Sequence, residues 1–490
     1  MGEQEAVFNV DRYKEVNLIA DPLYGYIPFT KAKARKGEKT EEDLIDSKWV
    51  QRLRRIHQLQ SAFWVFPSAE HTRFQHALGT MYLAGEFACH LYDSLVQVCN
   101  EAGEEIIPSQ QLFEETARVA GLLHDIGHGP FGHFFDENYL ADFGITHEDI
   151  SQQIIKDELS GIIKGIRPSP SSEFESSERL DPQQIAHLIK KKGQEDSQLL
   201  WLRLLKKLFT GLYTADNLDF VRRDAYMIGV SLGPIDVERL KYYSQYCYRP
   251  GKGAGLALHA NGVSALEMFL SVRSYMFTNV YCHRTVRAIE LEMKDRNLFK
   301  RTTRELFPDG DPCSNLTNYC EFDEWKAMNE INRWATEPSV GEKKRQLASR
   351  WCPIIRRDPN WHLIAERREA QARQILLTKV ATQRKLEDLL TDKIKHSLKT
   401  TEKKIAPHFR VDIVGFSPRP ANPYSGEQSI WIYDPTTGNI EEEGLEWIEA
   451  RIPARIDTFR VYSRDERYDK DIVQALNQAI SKEADLTTSM

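Results

Sequence analysis

The stretch Ala117–His133, ARVAGLLHDIGHGPFGH, decides the reading of this chain. Its first half is an apolar run at helical spacing that ends in an adjacent imidazole and carboxylate, His124 and Asp125. His128 and His133 follow within ten residues. A histidine–aspartate pair suits a divalent cation that is neither fully soft nor fully hard. Such a cation polarises a phosphoryl oxygen and lowers the pKa of a bound water. The string therefore points to hydrolysis of a phosphoester or phosphoanhydride. Its glycines, proline and three histidines have no evident joint packing purpose, so the whole string weighs more than any one of its residues.

Further candidate ligands lie on flanking helical stretches. Phe74–Tyr92 carries apolar residues at helical spacing and follows TRFQHALGT, which holds His76. Leu199–Met227 is a later helical stretch, and its TADNLDFVRRD holds Asp216. His76, His124, Asp125 and Asp216 make a set of two imidazoles and two carboxylates from three helices, which leaves positions open for water and substrate. A lone histidine on an amphipathic helix is ordinarily core or surface, so His76 counts only with the others. Gly127 and Gly129-Pro130 are read as the C-cap and terminator of the helix Glu114–Asp125.

His128 and His133 fall outside this set. Asp136, three residues after His133, is placed to fix its tautomer and raise its basicity, as in an oriented general acid or base. His147-Glu148 is a second pair of that kind. The competing reading makes these residues polar caps around a loop. Arg73, Arg222, Arg223, Arg273, His283, Arg284 and Arg287 lie on or near the same helices and are candidate phosphate contacts. For any one arginine, a solvated helix face is the commoner explanation.

Composition sets the bounds. A chain of 490 residues has room for two or three domains. The formal charge of −7 argues against broad coating of nucleic acid, so phosphate binding is expected in a local pocket and a nucleic-acid partner is not indicated. Seven scattered cysteines without a C-x-x-C pair favour a reducing compartment over a disulfide framework or zinc ribbon. No run approaches bilayer length and the start does not resemble a signal peptide, so a cytoplasmic protein with no membrane partner is expected.

The expected fold class is mainly α: an N-terminal arm (1–45), a helical core (46–300) and a small α+β C-terminal lobe (301–490). Residues through Thr40 are turn-rich and charged. Leu53, Ile56 and Leu59 keep helical spacing, Arg167–Pro182 reads as a surface loop, and Gly262–Phe299 as helix. Glu321–Lys404 reads as charged helix. FRVDIVGF, SIWIYD and DTFRVYS read as three strands, with PTTGN a turn, and a last helix covers about Lys470–Ala484.

The order H…HD…D resembles the HD phosphohydrolase superfamily. More narrowly, the chain is similar to the deoxynucleoside triphosphate triphosphohydrolases, above all the animal branch whose HD domain follows a sterile-alpha-motif domain. The similar stretches are DPLYGYI, QRLRRIHQL, FWVFPSAEHTRFQHALGTMYLAGEF, AGLLHDIGHGPFGH, TADNLDFVRRDAYMIG and VYCHRTVRAIELEM, with FRVDIVGF and FRVYS matching loosely. Glu305–Lys404 does not align, and the sterile-alpha-motif domain has no counterpart.

This resemblance implies a helical HD core and roles residue by residue. His76, His124, Asp125 and Asp216 match metal ligands, for iron, manganese, zinc or magnesium, with magnesium also on the nucleotide. His128 matches a phosphate contact, and His133, supported by Asp136, the catalytic histidine near the α-phosphate, with His147 and Glu148 a supporting pair. Arg73 and Arg273 match phosphate contacts, Gln58 and Asp224 the groups that hold the sugar 3′-hydroxyl, and Tyr281 the aromatic that packs on the sugar. The implied reaction converts a dNTP into deoxynucleoside and inorganic triphosphate.

Asp46, Gln51 and Arg54 match a guanine-nucleotide activator site, with His283 and Arg284 as basic neighbours, so a GTP or dNTP activator and a homo-oligomer are implied. A helix N-cap is an equally good account of Asp46. Three positions depart from the family: Asn217 stands where a phosphate-binding lysine is expected, Phe220 for a tyrosine and Cys282 for a glutamine. Asp434 and Asn439 stand where activator-site cations are expected. The departures motivate an alternative, an HD phosphodiesterase or nuclease acting on single-stranded nucleic acid or cyclic nucleotides. A non-catalytic nucleotide sensor would have no need of His133 and Asp136.

Overall fold

The computed structural model describes residues 15–31, 37–190, 199–231, 235–371, 388, 391–392, 408–417, 429–444, 455–474 and 476. The chain forms two compact units. One comprises residues 1–272, 303–330 and 421–445, the other residues 273–302, 331–420 and 446–490. Both are discontinuous in sequence, unlike the continuous segments expected above. The fold is mainly α, as the periodicity indicated.

The first unit opens with a hairpin of β1 (Val16–Asp21) and β2 (Gly25–Thr30). DPLYGYIPFT is therefore not a bare arm. Asp21 Oδ1 accepts from the Leu23 and Tyr24 amides at 2.9 and 3.2 Å and closes the turn. Alternation then buries Ile27 and Phe29 while Tyr26 stays exposed. Short helices α1 (Glu41–Ile45) and α2 (Lys48–Arg52) follow, continued by 3₁₀ turns over residues 53–55 and 60–64 in place of one regular helix.

Helix α3 (Arg73–Ala102) is the backbone of this unit. Its start is a capping box, in which the Thr72 amide and hydroxyl donate to Gln75 Oε1 at 2.6 and 2.8 Å. It ends at Gly103 in the left-handed region, φ 73°. Helix α4 (Gln110–Leu123), capped by Ser109, packs on it. Gly121 permits the close approach, since a Cβ there would lie 2.8 Å from the Thr80 carbonyl. Helices α5 (His133–Asn138), α6 (His147–Gln153), α7 (Ser160–Gly165), α8 (Pro182–Ile189), α9 (Leu200–Lys206), α10 (Ala215–Met227) and α11 (Val237–Tyr242) complete the helical part. Residues 168–181 have no helix, in keeping with the expected loop.

Strands β3 (Ser244–Arg249) and β4 (Gly253–His259) were not anticipated. After helix α12 (Val263–Met276), the second unit contributes α13 (Arg284–Lys294) and part of α14 (Leu298–Leu306), whose end returns to the first unit with α15 (Leu316–Cys320) and the start of α16 (Glu324–Thr336). Helix α17 (Glu342–Ile355) belongs to the second unit. Glu321–Lys404 is not helical throughout: His362–Gln371 is strand β5. Its partner β9 (Arg455–Ser463) lies far away in sequence, and Glu366 opposite Arg460 makes an ion pair at 2.7 Å that a helical reading of the charges misses.

The three expected C-terminal strands exist but separate. β6 (Phe409–Phe416) pairs with β9 and packs Phe409, Val411 and Ile413 with Val461, Ile472 and Leu476. β7 (Ser429–Tyr433) instead runs parallel to β4 in the first unit, with β8 (Ile440–Gly444) on its other edge. Gly255 makes room for the Trp431 ring, 3.1 Å from where a Cβ would be. Residues 469–474 are helical, and the expected last helix beyond 476 lies outside the described residues. No described helix is long and apolar enough to cross a membrane.

Candidate metal centre

Three helices of the first unit bring together His76 (first turn of α3), His124 (the last cap of α4) and Asp216 (first turn of α10), their ligand-type atoms all within 4.8 Å of one another. His76 Nε2 lies 3.2 Å from His124 Nε2 and 3.2 Å from Asp216 Oδ1. Asp125 adjoins, with Oδ1 at 3.4 Å from His124 Nε2 and Oδ2 at 3.9 Å from His76 Nε2.

The tautomers make this arrangement suit a cation. His124 Nδ1 faces the Gly121 carbonyl at 2.8 Å and must donate to it. His76 Nδ1 faces Asp219 Oδ2 at 2.8 Å and donates likewise. Each neutral ring then turns an Nε2 lone pair toward the other across 3.2 Å, a repulsive contact that a shared cation or proton relieves. Histidine ligands to metals ordinarily have the second nitrogen anchored in this way. The donor set, imidazole with carboxylate, fits a divalent transition metal or magnesium.

Asp219 is the residue that sequence reading missed. Its Oδ2 orients His76, while Arg223 binds both oxygens at 2.9 and 3.0 Å and the Tyr24 hydroxyl donates to Oδ1 at 2.7 Å. Arg223 also reaches Asp21 at 2.8 Å, which ties the β1–β2 turn to the centre. Only Gly79 lets this cluster reach α3, since a Cβ there would lie 1.9 Å from Asp219 Oδ1. The spacing Asp216-x-x-Asp219-x-x-x-Arg223 was visible, but which acid faces His76 depends on the docking of α10. Asp219→Asn is expected to weaken metal binding about 10–100-fold, read by competition against a chelator.

Electrostatics follow from burial and crowding. Burial opposes charge on His76, yet bonds to Asp216 and Asp219 outweigh it and carry its pKa up to about 10. His124 is raised against the same opposition by Asp125 and Asp216. Burial alone would raise Asp125, but His124 and Arg73 hold it well below the usual carboxylate range. His124 and His76 do the same for Asp216. Burial, Arg73 and His147 together hold His128 well below the ordinary histidine value.

Beside the centre stands a second group, His128, His133, Asp136 and His147. Asp136 Oδ2 is shared, at 2.5 Å from His147 Nδ1, 3.3 Å from His133 Nδ1 and 3.9 Å from His128 Nδ1. Against the pull of burial, these histidines keep Asp136 far below the carboxylate range. The oriented pair expected for His133 is thus a carboxylate serving two rings, with His147 the nearer. His128 is fully buried and stacked on His147 at 3.7 Å, and its Nε2 lies 3.4 Å from Asp125 Oδ1. Glu148 is half-buried beside His147 in the first turn of α6. The nearby glycines serve spacing and not helix capping: neither Gly127 nor Gly129 has positive φ, and a Cβ on Gly127 would lie 2.2 Å from the His147 carbonyl.

Arg73 pairs with Asp125 Oδ2 at the rim of both groups. Asp224 is buried against His71 Nε2 at 2.8 Å, a partner sequence reading did not name. Gln58 donates its amide to the His71 carbonyl, and its side-chain Oε1 is buried with no hydrogen-bond partner. Arg273 and Tyr281 belong to the second unit, where Arg273 donates to the Ser417 carbonyl at 2.7 Å and Tyr281 meets Phe277 edge-on.

Of the residues matched to an activator site, Gln51 bonds the Ile45 carbonyl and accepts from Arg54 Nε at 2.8 Å, and Arg54 covers the Phe74 ring. Asp46 is the C-cap of α1, and the N-cap before Lys48 is Ser47, whose hydroxyl accepts from the Val50 amide. His283 caps α13 in the second unit, and the Arg284 carbonyl accepts from the Tyr462 hydroxyl. Asp434 is occupied locally with Thr436 and Thr437.

Comparison with known proteins agrees with this picture. The uncharacterized protein YwfO of Bacillus subtilis is 28% identical over 286 residues, 57% of this chain and 55% of the relative. The deoxynucleoside triphosphate triphosphohydrolase SAMHD1 of Homo sapiens is 29% identical over 256 residues, 49% of this chain and 37% of the relative. The chain spans about half the length of the curated relatives it matches. A crystal structure of a hypothetical protein from Aquifex aeolicus shares the fold, with a TM-score of 0.65 at 23% identity over 94% of this chain and all of that one. Residues 73–201, which hold His76, His124, Asp125 and the second histidine group, match the HD domain family.

Proposed function

We propose that this protein is a metal-dependent dNTP triphosphohydrolase that releases deoxynucleoside and inorganic triphosphate. The observation that carries the reading is the position of Asp125, whose Oδ1 is 3.4 Å from both His124 Nε2 and His128 Nε2. A cation-type centre and a buried imidazole thereby face one carboxylate. A divalent cation held by His76, His124, Asp125 and Asp216 supplies polarisation of a phosphoryl oxygen and a more acidic water.

The chain's own groups do the rest. Arg73, buried with its Nε lacking a hydrogen-bond partner, offers charge to a phosphate. His128 donates one N–H to a phosphate oxygen. His133 donates a hydrogen bond from Nδ1–H to Asp136, and its Nε2 proton passes to the sugar 5′-oxygen as that oxygen leaves the α-phosphorus attacked by water, as its exposed ring permits. Gln58 and Asp224 hold the sugar. The SAMHD1 relatives are deoxynucleoside triphosphate triphosphohydrolases, which supports this substrate class. Activation by GTP or a dNTP and assembly as a homo-oligomer belong to the same reading.

The test is incubation of the purified protein with each dNTP and NTP, singly and mixed, with manganese or magnesium, resolving products by chromatography. Triphosphate plus deoxynucleoside is the expected result, and dNTPs left intact in every mixture overturn it. One observation favours a phosphodiesterase instead. Asn217 Nδ2 is spent on Thr214 Oγ1 at 2.8 Å, and Phe220 packs edge-on to His76, so neither position supplies a cation or hydroxyl. Monophosphate products would establish that second reading.

A further inference from the structure

The loop carrying His128 and His133 is held at its backbone by side chains from outside it, among them Ser151, whose Oγ accepts from the Gly127 amide at 2.9 Å. The Tyr319 hydroxyl donates to the Gly127 carbonyl at 2.9 Å. Arg52 Nη1 donates to the His128 carbonyl at 2.6 Å, and Nη2 to the Phe322 carbonyl at 2.7 Å. Glu324 Oε2 accepts from the Phe131 amide at 3.4 Å, while Oε1 binds His57 Nδ1 at 2.7 Å.

Arg52 is the unusual member. It is fully buried, its guanidinium lies 4.7 Å from the Tyr319 ring centroid, and among the described residues it makes no ion pair. A buried guanidinium satisfied only by neutral carbonyls and an aromatic face is costly compared with an apolar side chain of the same volume. The loop it grips is also conformationally demanding: Phe131 sits at φ 65° and Gly132 at φ 52°. Such backbone persists only where the surroundings over-determine it. His128 itself has no hydrogen-bond partner on either ring nitrogen. Backbone placement and the stack on His147 fix where its imidazole stands, with only the longer contacts to Asp125 at 3.4 Å and Asp136 at 3.9 Å beside them.

We propose that Arg52 is a positioning residue for His128: it clamps the His128 carbonyl to the Phe322 carbonyl, and Tyr319 secures the preceding residue. The ring is thereby presented to the substrate phosphates by its backbone, with no short side-chain hydrogen bond to hold it elsewhere. This rests on the reading of His128 given under Proposed function. A displacement of the ring by about 1 Å would be worth about 100-fold in rate.

The variants are Arg52→Lys, which reaches one carbonyl at a time, Arg52→Gly and Tyr319→Phe. Each is examined for bound metal, for the His128 Cε1–Hε1 resonance in histidine-labelled protein, and for kcat and KM. Expected is a displaced His128 resonance at unchanged metal content. With it, kcat falls about 100-fold for Arg52→Lys and about 10-fold for Tyr319→Phe. Added methylguanidinium restores part of the loss in Arg52→Gly only. Should Arg52→Gly not fold, Arg52→Lys and Tyr319→Phe decide. An unmoved His128 resonance, or activity lost in step with bound metal, overturns the proposal. If the parent protein releases no triphosphate, the functional reading fails while the His128 resonance still decides the role of Arg52.

Discussion

Asp125→Ala is expected to abolish metal binding and to lower hydrolysis by at least about 10³-fold, which corresponds to the several kcal/mol a Lewis acid contributes at a phosphoryl group. The carboxylate has more than one task. Oδ1 stands between His124 and His128, and Oδ2 holds Arg73. Alanine removes a candidate ligand and also leaves Arg73 as a buried cation without its partner. Breaking one side of such a pair costs about 3–5 kcal/mol. Activity and stability should therefore fall together in Asp125→Ala. Asp125→Asn, which keeps shape and one acceptor, should retain more of the fold than of the activity. Metal analysis, thermal unfolding and product chromatography on the same samples separate the effects. Full activity in Asp125→Ala would remove this residue from the centre.

Gly79→Ala carries the second large effect, and at first sight it should be stabilising. Within a helix, alanine is favoured over glycine by about 1 kcal/mol. Here the new Cβ would lie 1.9 Å from Asp219 Oδ1 and 2.4 Å from Arg223 Nη2. Those atoms have nowhere to retreat, because Arg223, Tyr24 and His76 all hold Asp219 in a fully buried position. Separating this buried pair costs about 3–5 kcal/mol, so the clash outweighs the propensity gain. The expected outcome is a lowered unfolding midpoint and loss of metal, since His76 loses the group that orients it. Gly161→Ala, where a Cβ meets nothing within 4 Å, is the control and should be neutral or slightly stabilising. Equal behaviour of the two variants would mean that Asp219 is free to move.

The helical core was legible because periodicity is local. The caps Thr72 with Gln75, Ser109 and Thr214 set the actual starts of α3, α4 and α10, whereas periodicity begins α4 at Glu114 and runs α9 and α10 together as Leu199–Met227. The adjacent His124 and Asp125 needed no folding to be noticed, and His76 and Asp216 stand out on helices whose apolar faces are plain. What eluded the sequence were pairings with distant partners. Strand β5 looked like charged helix because its partner Arg460 is supplied by β9. β7 was grouped with β6 and β9, yet its hydrogen bonds go to β4.

By itself the sequence determined that this is a mainly helical chain with imidazole and carboxylate groups suited to a cation on three helices, because residue type and helical spacing are properties of short segments. Only the tertiary structure decided which groups surround them. Asp219 behind His76, His147 on the Asp136 that already serves His133, and Arg52 with Tyr319 beneath the loop all come from docked elements. The glycines of HDIGHGPFGH show the division most clearly. Sequence read Gly127 as a helix stop, a local role. The fold requires it for the approach of α6, because its missing side chain is the space in which the His147 carbonyl sits.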